Sequence, residues 1–427
     1  MSLKEMAGIL LIIFIVGSAL LFFIFRPKDR GGPYGSYFSA LNEELKQRGS
    51  GTPVLVLDLD RLDRNLQTLQ SHIGNKHYYR VVAKSLPCVE LIKHIFTKTG
   101  TNRVMVFHQP FITLLAEALP ESRMLLGKPM PLNAVNTFYE QLSPGTRFDP
   151  SKQLQWLVDS PERLNQYLRF AEKKEYKLLI NIEIDIGLHR GGVKDTNELH
   201  RMLETIESHS GYLTFTGFMG YDAHVAKAPP LISSIESALQ GSLEAYRTFI
   251  VYGKENFPNL FERDLTFNTA GSMTYQLYKD ITLVNDIAAG SGLVKPVDFD
   301  LGTLQDHEPA LFIATPVLKK SKGLNIPYIE FMKSVWGWLN PNWEYTFFIY
   351  GGYWKAEYHQ PEGLCRNPIY GYSSNQEIAT GSGRIRIGVD DYVFLRPRQS
   401  EAVMLQFGDL VITRQNKIID RWPVFRQ

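Results

Sequence analysis

The feature that most constrains the fold is an alternation of short apolar runs and helical patterns between about residues 52 and 305. The runs are rich in strand-forming residues, and the segments between them carry apolar residues at three- and four-residue spacing. Continuous apolar strands joined by helices predict a parallel sheet covered on both faces. The predicted strands are Val54–Leu57, Tyr79–Ala83, Arg103–Phe107, Arg123–Leu126, Gln155–Val158, Leu178–Ile184, Leu213–Met219, Leu265–Asn268 and Asp286–Ala289.

Eight strand–helix units close a barrel of about 250 residues, so we predict a (β/α)8 barrel over residues 52–305. One of the predicted strands is then surplus, and the first, Val54–Leu57, is a candidate for the second domain. Residues 306–427 carry short β-forming segments separated by Gly, Pro and Asn, which predicts a C-terminal antiparallel β domain. Its predicted strands include Glu344–Tyr350, Gly383–Val389, Ala402–Gln406 and Leu410–Thr413.

An uncharged apolar run precedes both domains, at residues 7–25. As a helix it would be about 28 Å long, close to the thickness of a bilayer core. A cleaved signal peptide would have a shorter apolar core followed by a small-residue cleavage site, but Arg26 and Pro27 follow this run directly. We therefore predict one N-terminal transmembrane helix at 7–25. Residues 26–51 are predicted to be a tether with an amphipathic stretch, Tyr37–Lys46.

Basic residues after the run outnumber those before it, since Arg26, Lys28 and Arg30 oppose Lys4 and the terminal amine. Basic residues favour the cytoplasmic side. The chain is therefore predicted to be a single-pass protein of the inner or plasma membrane with a cytoplasmic catalytic domain.

Composition excludes several classes of protein. The net charge of the 427 residues is +2, with both signs interspersed, which does not favour nucleic-acid binding. The two cysteines, Cys88 and Cys365, exclude a disulfide framework. The common zinc signatures Cys-x-x-Cys and His-Glu-x-x-His are missing from the sequence.

Chemically interesting residues follow several predicted barrel strands, where catalytic groups of such barrels lie. Lys84 directly follows Ala83, and two other strands end in polar loops. Singly, such a lysine is a solvated surface residue and a small-residue loop is an ordinary turn. Small-residue loops can also hold a phosphate through their backbone N–H groups. The loop residues concerned are Asp185, His189, Arg190, Tyr221, His224, Gly271, Ser272, Gly290 and Ser291.

In this combination and order the chain resembles the alanine-racemase-like enzymes of fold type III, which depend on pyridoxal phosphate (PLP). The branch with D-threonine aldolase and D-serine dehydratase is the most similar. The resemblance covers most of residues 52–310 and, more loosely, the C-terminal domain. It rests on Thr52–Asp58 with Asn65, Ala83–Ser85, Asp185–Val193, Gly217–Tyr221, Ala270–Ser272 and Ala289–Gly292.

The resemblance implies a role for each matching residue. Lys84 would form the Schiff base with PLP, since a lysine amine held deprotonated is the nucleophile for an aldehyde. Arg190 would lie beside the pyridine ring, and Tyr221 would flank the cofactor or the substrate. His224 is predicted to contact the cofactor, with a structural role as the competing reading. Small-residue loops would hold the phosphate through Gly271, Ser272, Gly290 and Ser291.

The sequence departs from that branch at its metal site. D-serine dehydratase-like members bind a metal near the C-terminus through a His-x-Cys or His-x-Asp pair. This chain has no histidine after His359, and Gln399-Ser400-Glu401 stands where the upstream histidine is expected. We predict no metal, which weakens hydroxyl elimination and retro-aldol cleavage but leaves racemisation possible.

Racemisation requires two proton-transferring groups on opposite faces of the substrate. In alanine racemases one is a tyrosine from the partner subunit, and the candidates here are Tyr370 and Tyr372. Packing in a β-rich loop is the competing reading for both tyrosines, and His189 and His224 are alternative acid–base groups. A homodimer is implied by the resemblance alone.

Three functions remain open. The first is a metal-independent PLP enzyme acting at the α-carbon of a small amino acid, most simply a racemase. The second is a D-amino-acid deaminase or aldolase of the same family. The third is a membrane-anchored PLP-binding protein without turnover.

Overall fold

A computed structural model of the chain describes Met6, Gly8, Phe14, Gly17, residues 24–229 and residues 231–426. The chain divides into two compact units. The barrel unit comprises Leu55–Leu311, Pro397–Gln415 and Ile419–Gln427. The β unit comprises Met1–Val54, Phe312–Arg396 and Asn416–Ile418.

Eight parallel strands close a barrel, which confirms the predicted barrel fold. Each strand pairs in parallel with its neighbours, and the last pairs with the first, with Tyr78 opposite Asp286. Their side chains are almost wholly buried because helices cover the outer face and side chains fill the interior. The strands are β2 (Tyr78–Val82), β3 (Arg103–Val106), β4 (Arg123–Leu126), β5 (Leu154–Val158), β6 (Leu178–Glu183), β7 (Leu213–Met219), β8 (Thr266–Thr269) and β9 (Asp286–Ala289).

Helices alternate with these strands. Several begin at a side-chain cap: Asp58, Asp149, Ser160, Asp195 and Ser234 each accept a hydrogen bond from a first-turn backbone N–H. The helices of this part of the chain are α2 (Leu59–Ile73), α3 (Val89–Thr99), α4 (Phe111–Ala118), α5 (Leu132–Gln141), α6 (Pro150–Gln153), α7 (Pro161–Lys174), α8 (Thr196–Ser208) and α9 (Ile235–Asn256).

The surplus strand predicted from the sequence lies outside the barrel. This strand, β1 (Val54–Asp58), pairs in parallel with β16 (Asp409–Arg414), with Leu55 opposite Leu410. The C-terminal segment thus returns to the barrel unit after the chain has passed through the β unit. It brings with it a short helix, α11 (Glu401–Met404), where a strand was predicted at Ala402–Gln406, so that prediction was wrong.

The β unit is built mainly from antiparallel pairs, with β10 (Leu311–Lys322) between β11 (Tyr345–Ile349) and β15 (Tyr392–Pro397). The predicted strand at Glu344–Tyr350 is confirmed as β11. The predicted strand at Gly383–Val389 is wrong, because residues 382–389 form turns and irregular backbone. The elements are β10 (Leu311–Lys322), α10 (Lys333–Leu339), β11 (Tyr345–Ile349), β12 (Ala356–Gln360), β13 (Cys365–Arg366), β14 (Ile378–Gly381), β15 (Tyr392–Pro397) and β17 (Lys417–Pro423).

The stretch predicted as the amphipathic part of a tether is folded into the β unit. It forms helix α1 (Ser36–Arg48), whose Phe38, Leu41 and Leu45 are buried. The ring centroid of Phe38 lies 5.0 Å from that of Phe312 in β10. Burying three large apolar side chains favours the docked helix over a free linker.

A buried ionic cluster ties three barrel strands together at their N-terminal parts. Both carboxylate oxygens of Asp286 accept hydrogen bonds from Arg80, at 2.7 and 2.8 Å, and Arg103 donates a further one at 2.9 Å. Arg80 and Asp286 are almost completely buried. Burial alone would raise the pKa of Asp286, but the charges of Arg80 and Arg103 overcome it and hold that pKa below its usual value.

Most of the predicted membrane anchor at 7–25 lies outside the described residues, which in that range are Gly8, Phe14, Gly17, Ile24 and Phe25. Within the part of the chain that the structure describes, no helix has both the length and the apolar character needed to cross a bilayer.

Candidate active site

A cavity of about 220 Å³ opens at the C-terminal ends of the barrel strands, and its lining comes from the barrel unit. This is the face on which barrels of this type carry their active sites. The cavity brings together seven side chains or loop residues that the sequence singled out: Lys84, Arg190, Tyr221, Gly271, Ser272, Gly290 and Ser291.

Lys84 projects from a 3-10 turn, Ala83–Ser85, that directly follows β2. Its ammonium nitrogen Nζ lies 4.9 Å from the ring centroid of Phe107 and 3.9 Å from Oε1 of Glu401. A lysine placed between an aromatic face and one carboxylate is held in the cavity without being locked in a tight ion pair.

The two small-residue loops meet beside this lysine. The backbone N–H of Gly290 donates to the hydroxyl of Ser272 at 3.0 Å, and the hydroxyl of Ser291 donates to that of Ser85 at 2.9 Å. A Cβ atom on Gly290 would lie 2.9 Å from Val82. Only glycine allows so close an approach of the two strand ends, which concentrates N–H and hydroxyl donors in one wall.

Arg190 and Tyr221 form a second wall. The guanidinium carbon of Arg190 lies 4.9 Å from the ring centroid of Tyr221. The ring of Tyr221 in turn packs against Gly271, where a Cβ atom would come within 2.7 Å of it. Burial raises the pKa of the Tyr221 phenol, so this side chain is a neutral hydrogen-bonding group at neutral pH.

Asp222 braces the first loop from behind. It is fully buried and accepts hydrogen bonds from Thr274 and Tyr278, both at 2.7 Å. Thr274 also accepts the backbone N–H of Gly271 at 3.2 Å. Burial raises the pKa of Asp222. The position of Gly271 therefore depends on a network that has no exposure to solvent.

Glu183 ends β6 behind the Arg190 loop. Burial and the nearby carboxylate of Asp159 raise its pKa to about 7, although Arg190 opposes that shift. The protonated form is therefore favoured in the folded protein over a pH range in which an unfolded chain would be ionised.

Glu183→Gln tests this pH dependence. With a folded-state pKa near 7, against an ordinary value of 4.5, the stabilisation from protonated Glu183 is complete below pH 4.5 and is lost as the pH rises to 7. The free energy of unfolding of the wild type should therefore fall by about 3 kcal/mol more than that of the variant across this range. Denaturant unfolding from pH 4.5 to 8 measures this, with the exposed Glu207→Gln as the control. Parallel curves for wild type and Glu183→Gln would contradict it.

Three predicted site residues are not among those that line the cavity. Tyr370 and Tyr372 belong to the β unit, where the hydroxyl of Tyr370 donates to the carbonyl of Asn325 and Tyr372 lies under Arg366, 3.8 Å from its guanidinium carbon. Their role in a partner's active site stays a prediction.

His224, predicted as a cofactor contact, is not among the residues that line the cavity. Its Nε2 lies 3.3 Å from the hydroxyl of Ser242, and its Nδ1 is buried without a partner in the described part of the chain. The alternative acid–base histidine, His189, is exposed and pairs with Asp185 at 2.8 Å. His189 has a φ of 54°, in the left-handed region, and its pairing with Asp185 stabilises that conformation in the loop that follows β6.

Sequence reasoning did not select Lys227 and Asp298, and it noted Gln399 and Glu401 only as replacements at the family's metal site, yet all of them line the cavity. Asp298 forms an ion pair with Arg398 at 3.0 Å, whereas Oε2 of Glu401 is buried with no hydrogen-bond partner among the described residues. No local pattern marks Gln399 and Glu401, because only the returning C-terminal segment brings them to the barrel.

The residues present fit PLP. A lysine amine stands at the end of β2, and a wall of N–H and hydroxyl groups, closed by glycines that tolerate no Cβ, suits a phosphate. Within the described residues, no group of three His, Cys, Asp or Glu side chains is placed to hold a metal ion.

Comparison with known proteins gives a family match for part of the chain. Residues 57–249 match the family model described as alanine racemase, N-terminal domain. No curated protein matches the chain by sequence.

Several solved structures share the fold. D-threonine aldolase from Filomicrobium marinum aligns with a TM-score of 0.69 at 16% identity, over 87% of this chain and 94% of that one. D-threo-3-hydroxyaspartate dehydratase from a Delftia species aligns with a TM-score of 0.64 at 17% identity, over 88% of this chain and 98% of that one. Alanine racemase from Bacillus anthracis, with bound L-Ala-P, aligns with a TM-score of 0.65 at 15% identity, over 87% of this chain and 97% of that one. The family match over residues 57–249 and the shared fold both agree with the resemblance of this chain to the alanine-racemase-like enzymes, whose cofactor is PLP.

Proposed function

We propose that the protein is a PLP-dependent enzyme that acts at the α-carbon of a small amino acid, and that its reaction is racemisation. The observation that carries the proposal is the pairing of Lys84 with Glu401, 3.9 Å apart in the strand-end cavity. The amine of Lys84 accepts a proton when it is neutral, and the carboxylate of Glu401 accepts one when it is ionised. The cavity therefore contains two proton acceptors.

The residues of the cavity divide the work of binding. Lys84 would hold the cofactor covalently, and the two loops that contain Gly271, Ser272, Gly290 and Ser291 would surround its phosphate. The hydroxyl of Ser272 accepts the N–H of Gly290, so it can donate its own proton to the phosphate. Arg190, stacked on Tyr221, would lie along the ring. When bound, PLP supplies an electron sink that makes the substrate α-proton acidic.

Glu401 is proposed as the second proton-transferring group. Its Oε2 is buried without a hydrogen-bond partner among the described residues, whereas the other lining carboxylate, Asp298, is neutralised by Arg398. A carboxylate that faces an amine and keeps one oxygen without a hydrogen bond can take a proton from one side of a substrate, while the amine serves the other side. The tyrosine pair Tyr370 and Tyr372, supplied by the partner in a homodimer, is the alternative source of this group.

Racemisation is favoured over elimination and aldol cleavage by the residue types in the cavity. Those two reactions require activation of a substrate hydroxyl group. Among the described lining residues there is no histidine or cysteine, and the carboxylate of Glu401 is a proton acceptor. A deaminase or aldolase of the same family is the alternative, and a PLP-binding protein without turnover is a third possibility.

α-Hydrogen exchange tests the reaction. The full chain, loaded with PLP, is incubated with D- and L-amino acids in deuterated water, and deuterium incorporation and chirality are measured. We expect Glu401→Gln to lower exchange for one enantiomer roughly 10²-fold and to spare the other, because one face loses its base. The exposed Asp409→Asn, on the same C-terminal segment, is the control.

Other outcomes decide against parts of the proposal. A keto acid or an aldehyde as product would identify a lyase. Exchange that survives in Glu401→Gln but falls in Tyr370→Phe or Tyr372→Phe would move the second base to the partner subunit. No exchange with any amino acid, despite bound PLP, would favour the protein without turnover.

We also propose that residues 7–25 anchor the protein as a single-pass helix with the catalytic unit in the cytoplasm. The support is the uncharged run itself and the basic residues Arg26, Lys28 and Arg30 after it. Carbonate-resistant association of the full chain with membranes, and protection of the catalytic unit in right-side-out vesicles, test the anchor and its orientation.

A further inference from the structure

An unusual apolar surface lies in the β unit, on residues 326–343, here called the aromatic segment. Tyr328, Phe331 and Trp338 have 95, 81 and 56% of their surface exposed. Large aromatic side chains that project into water mark surfaces that bind something, since each loses a substantial burial free energy by staying exposed.

The exposed residues lie on one face. Phe331, Val335 and Trp338 follow one another at four- and three-residue spacing through a 3-10 turn, Glu330–Met332, and helix α10. That spacing places them in one stripe of a helix. On other faces of α10, the backbone of Lys333 lies close to Gly323 and the ring of Trp336 lies 6.2 Å from that of Trp343. The helix is therefore held to the β unit by one side and presents the aromatic stripe on another.

The chain that follows the apolar run 7–25 is fastened to this same segment. The side chain of Asn342 accepts a hydrogen bond from the backbone N–H of Arg30 and donates one to the carbonyl of Lys28, both at 2.9 Å. Asn342 itself is buried. Lys28 is three residues past Phe25, so the end of the apolar run lies within about 11 Å of this clamp.

We propose that the aromatic segment docks on the surface of the lipid bilayer. The inference rests on the proposed anchor: if residues 7–25 span the membrane, the clamp holds the aromatic segment at the depth of the lipid headgroups. Aromatic side chains are favoured at that depth. Arg26, Lys28 and Arg30 lie in the chain that Asn342 clamps, and Lys333 lies on helix α10. These basic residues outnumber the acidic Asp29 and Glu330 of the same segments, which suits anionic headgroups.

The consequence is that the β unit is oriented on the membrane by two attachments, the anchor and the aromatic stripe. A single-pass anchor alone would leave the unit free to rotate about its tether. Instead, Asn342 replaces a flexible tether by a rigid joint, and the stripe gives that joint a preferred face toward lipid.

The test places a fluorescent probe on the stripe in the full chain. In a Cys365→Ser background, where the remaining Cys88 is buried, Phe331→Cys is labelled with an environment-sensitive dye. The protein is reconstituted into vesicles of phosphatidylcholine and phosphatidylserine, with or without brominated acyl chains. Val251→Cys, an exposed apolar position on helix α9, is the matched control.

We expect a blue shift of the label at position 331 and its quenching by brominated lipid, with neither change at position 251. Val335→Cys should behave like Phe331→Cys, which guards against a local effect of one substitution. An inserted, carbonate-resistant chain whose label at 331 is not quenched would overturn docking and leave the anchor in place. Failure to insert would overturn the anchor and docking together, and neither result bears on the α-hydrogen exchange. In detergent, a blue shift of the label that increases with protein concentration would show that a second copy covers the stripe. Together with an absence of quenching by brominated lipid, that result would also overturn docking.

Discussion

Replacing Lys84 with alanine should abolish covalent PLP binding and reduce turnover roughly 10³-fold, while the fold is retained. Lys84 stands in the cavity beside Phe107 and Glu401, and its side chain is partly exposed, so its loss leaves no large void. The full chain is loaded with PLP and treated with borohydride, and the modified residue is mapped by mass spectrometry. Wild type should carry the adduct on Lys84, and Lys84→Ala should carry none.

Two other lysines show whether the adduct is specific to Lys84. Lys227 also lines the cavity, so an adduct there would reassign the cofactor-binding lysine. The exposed Lys93→Ala, on helix α3, should bind PLP like the wild type. Equal adduct formation in Lys84→Ala and wild type would refute the assignment of the site.

Asp286→Asn should destabilise the barrel by about 3–5 kcal/mol, the largest effect on stability that we expect from a single substitution. The change preserves shape but leaves the buried guanidinium groups of Arg80 and Arg103 without their common carboxylate. Chemical denaturation at pH 7 measures the difference. Asp280→Asn is the matched control, because Asp280 is 84% exposed and its pairing with Lys76 is solvated.

The same cluster predicts a pH dependence with a defined sign. Since the pKa of Asp286 is lowered in the folded protein, its stabilisation is present above the ordinary pKa of an aspartate, near 3.9, and is lost as the pH falls through the folded value. Lowering the pH should therefore reduce the difference in the free energy of unfolding between the wild type and Asp286→Asn. Two outcomes would show that the ion cluster does not stabilise the barrel. One is a difference in the free energy of unfolding that stays constant down to pH 3, and the other is an Asp286→Asn variant as stable as Asp280→Asn.

The barrel could be predicted from sequence because its information is local. Leu213–Met219 and Asp286–Ala289 are strands with the predicted limits, since continuous apolar runs between helical patterns have few other solutions. The strand-end rule then placed Lys84, Arg190, Tyr221 and the two small-residue loops at one mouth, because parallel strands end on the same face.

What could not be predicted depended on contacts distant in sequence. Ala402–Gln406 has the composition of a strand but begins as a helix, since packing against the barrel unit overrides local preference. Glu401 is separated from Lys84 by most of the chain, and no spacing rule joins them. The stretch Tyr37–Lys46 showed its amphipathic pattern, but the surface that buries Phe38 comes from residues 312 and 394.

The parallel pairing of β1 with β16 has a consequence for biosynthesis. Strand β1 leaves the ribosome about 350 residues before β16, the partner for that edge. At about 5–20 residues per second, the edge of β1 that faces β16 waits roughly 20 to 70 s for its mate. An open strand edge is a template for intermolecular pairing, so nascent chains should depend on chaperones until β16 has been made. A late stop codon, even one that spares the whole barrel, would release a polypeptide with that edge exposed and its active site missing Glu401.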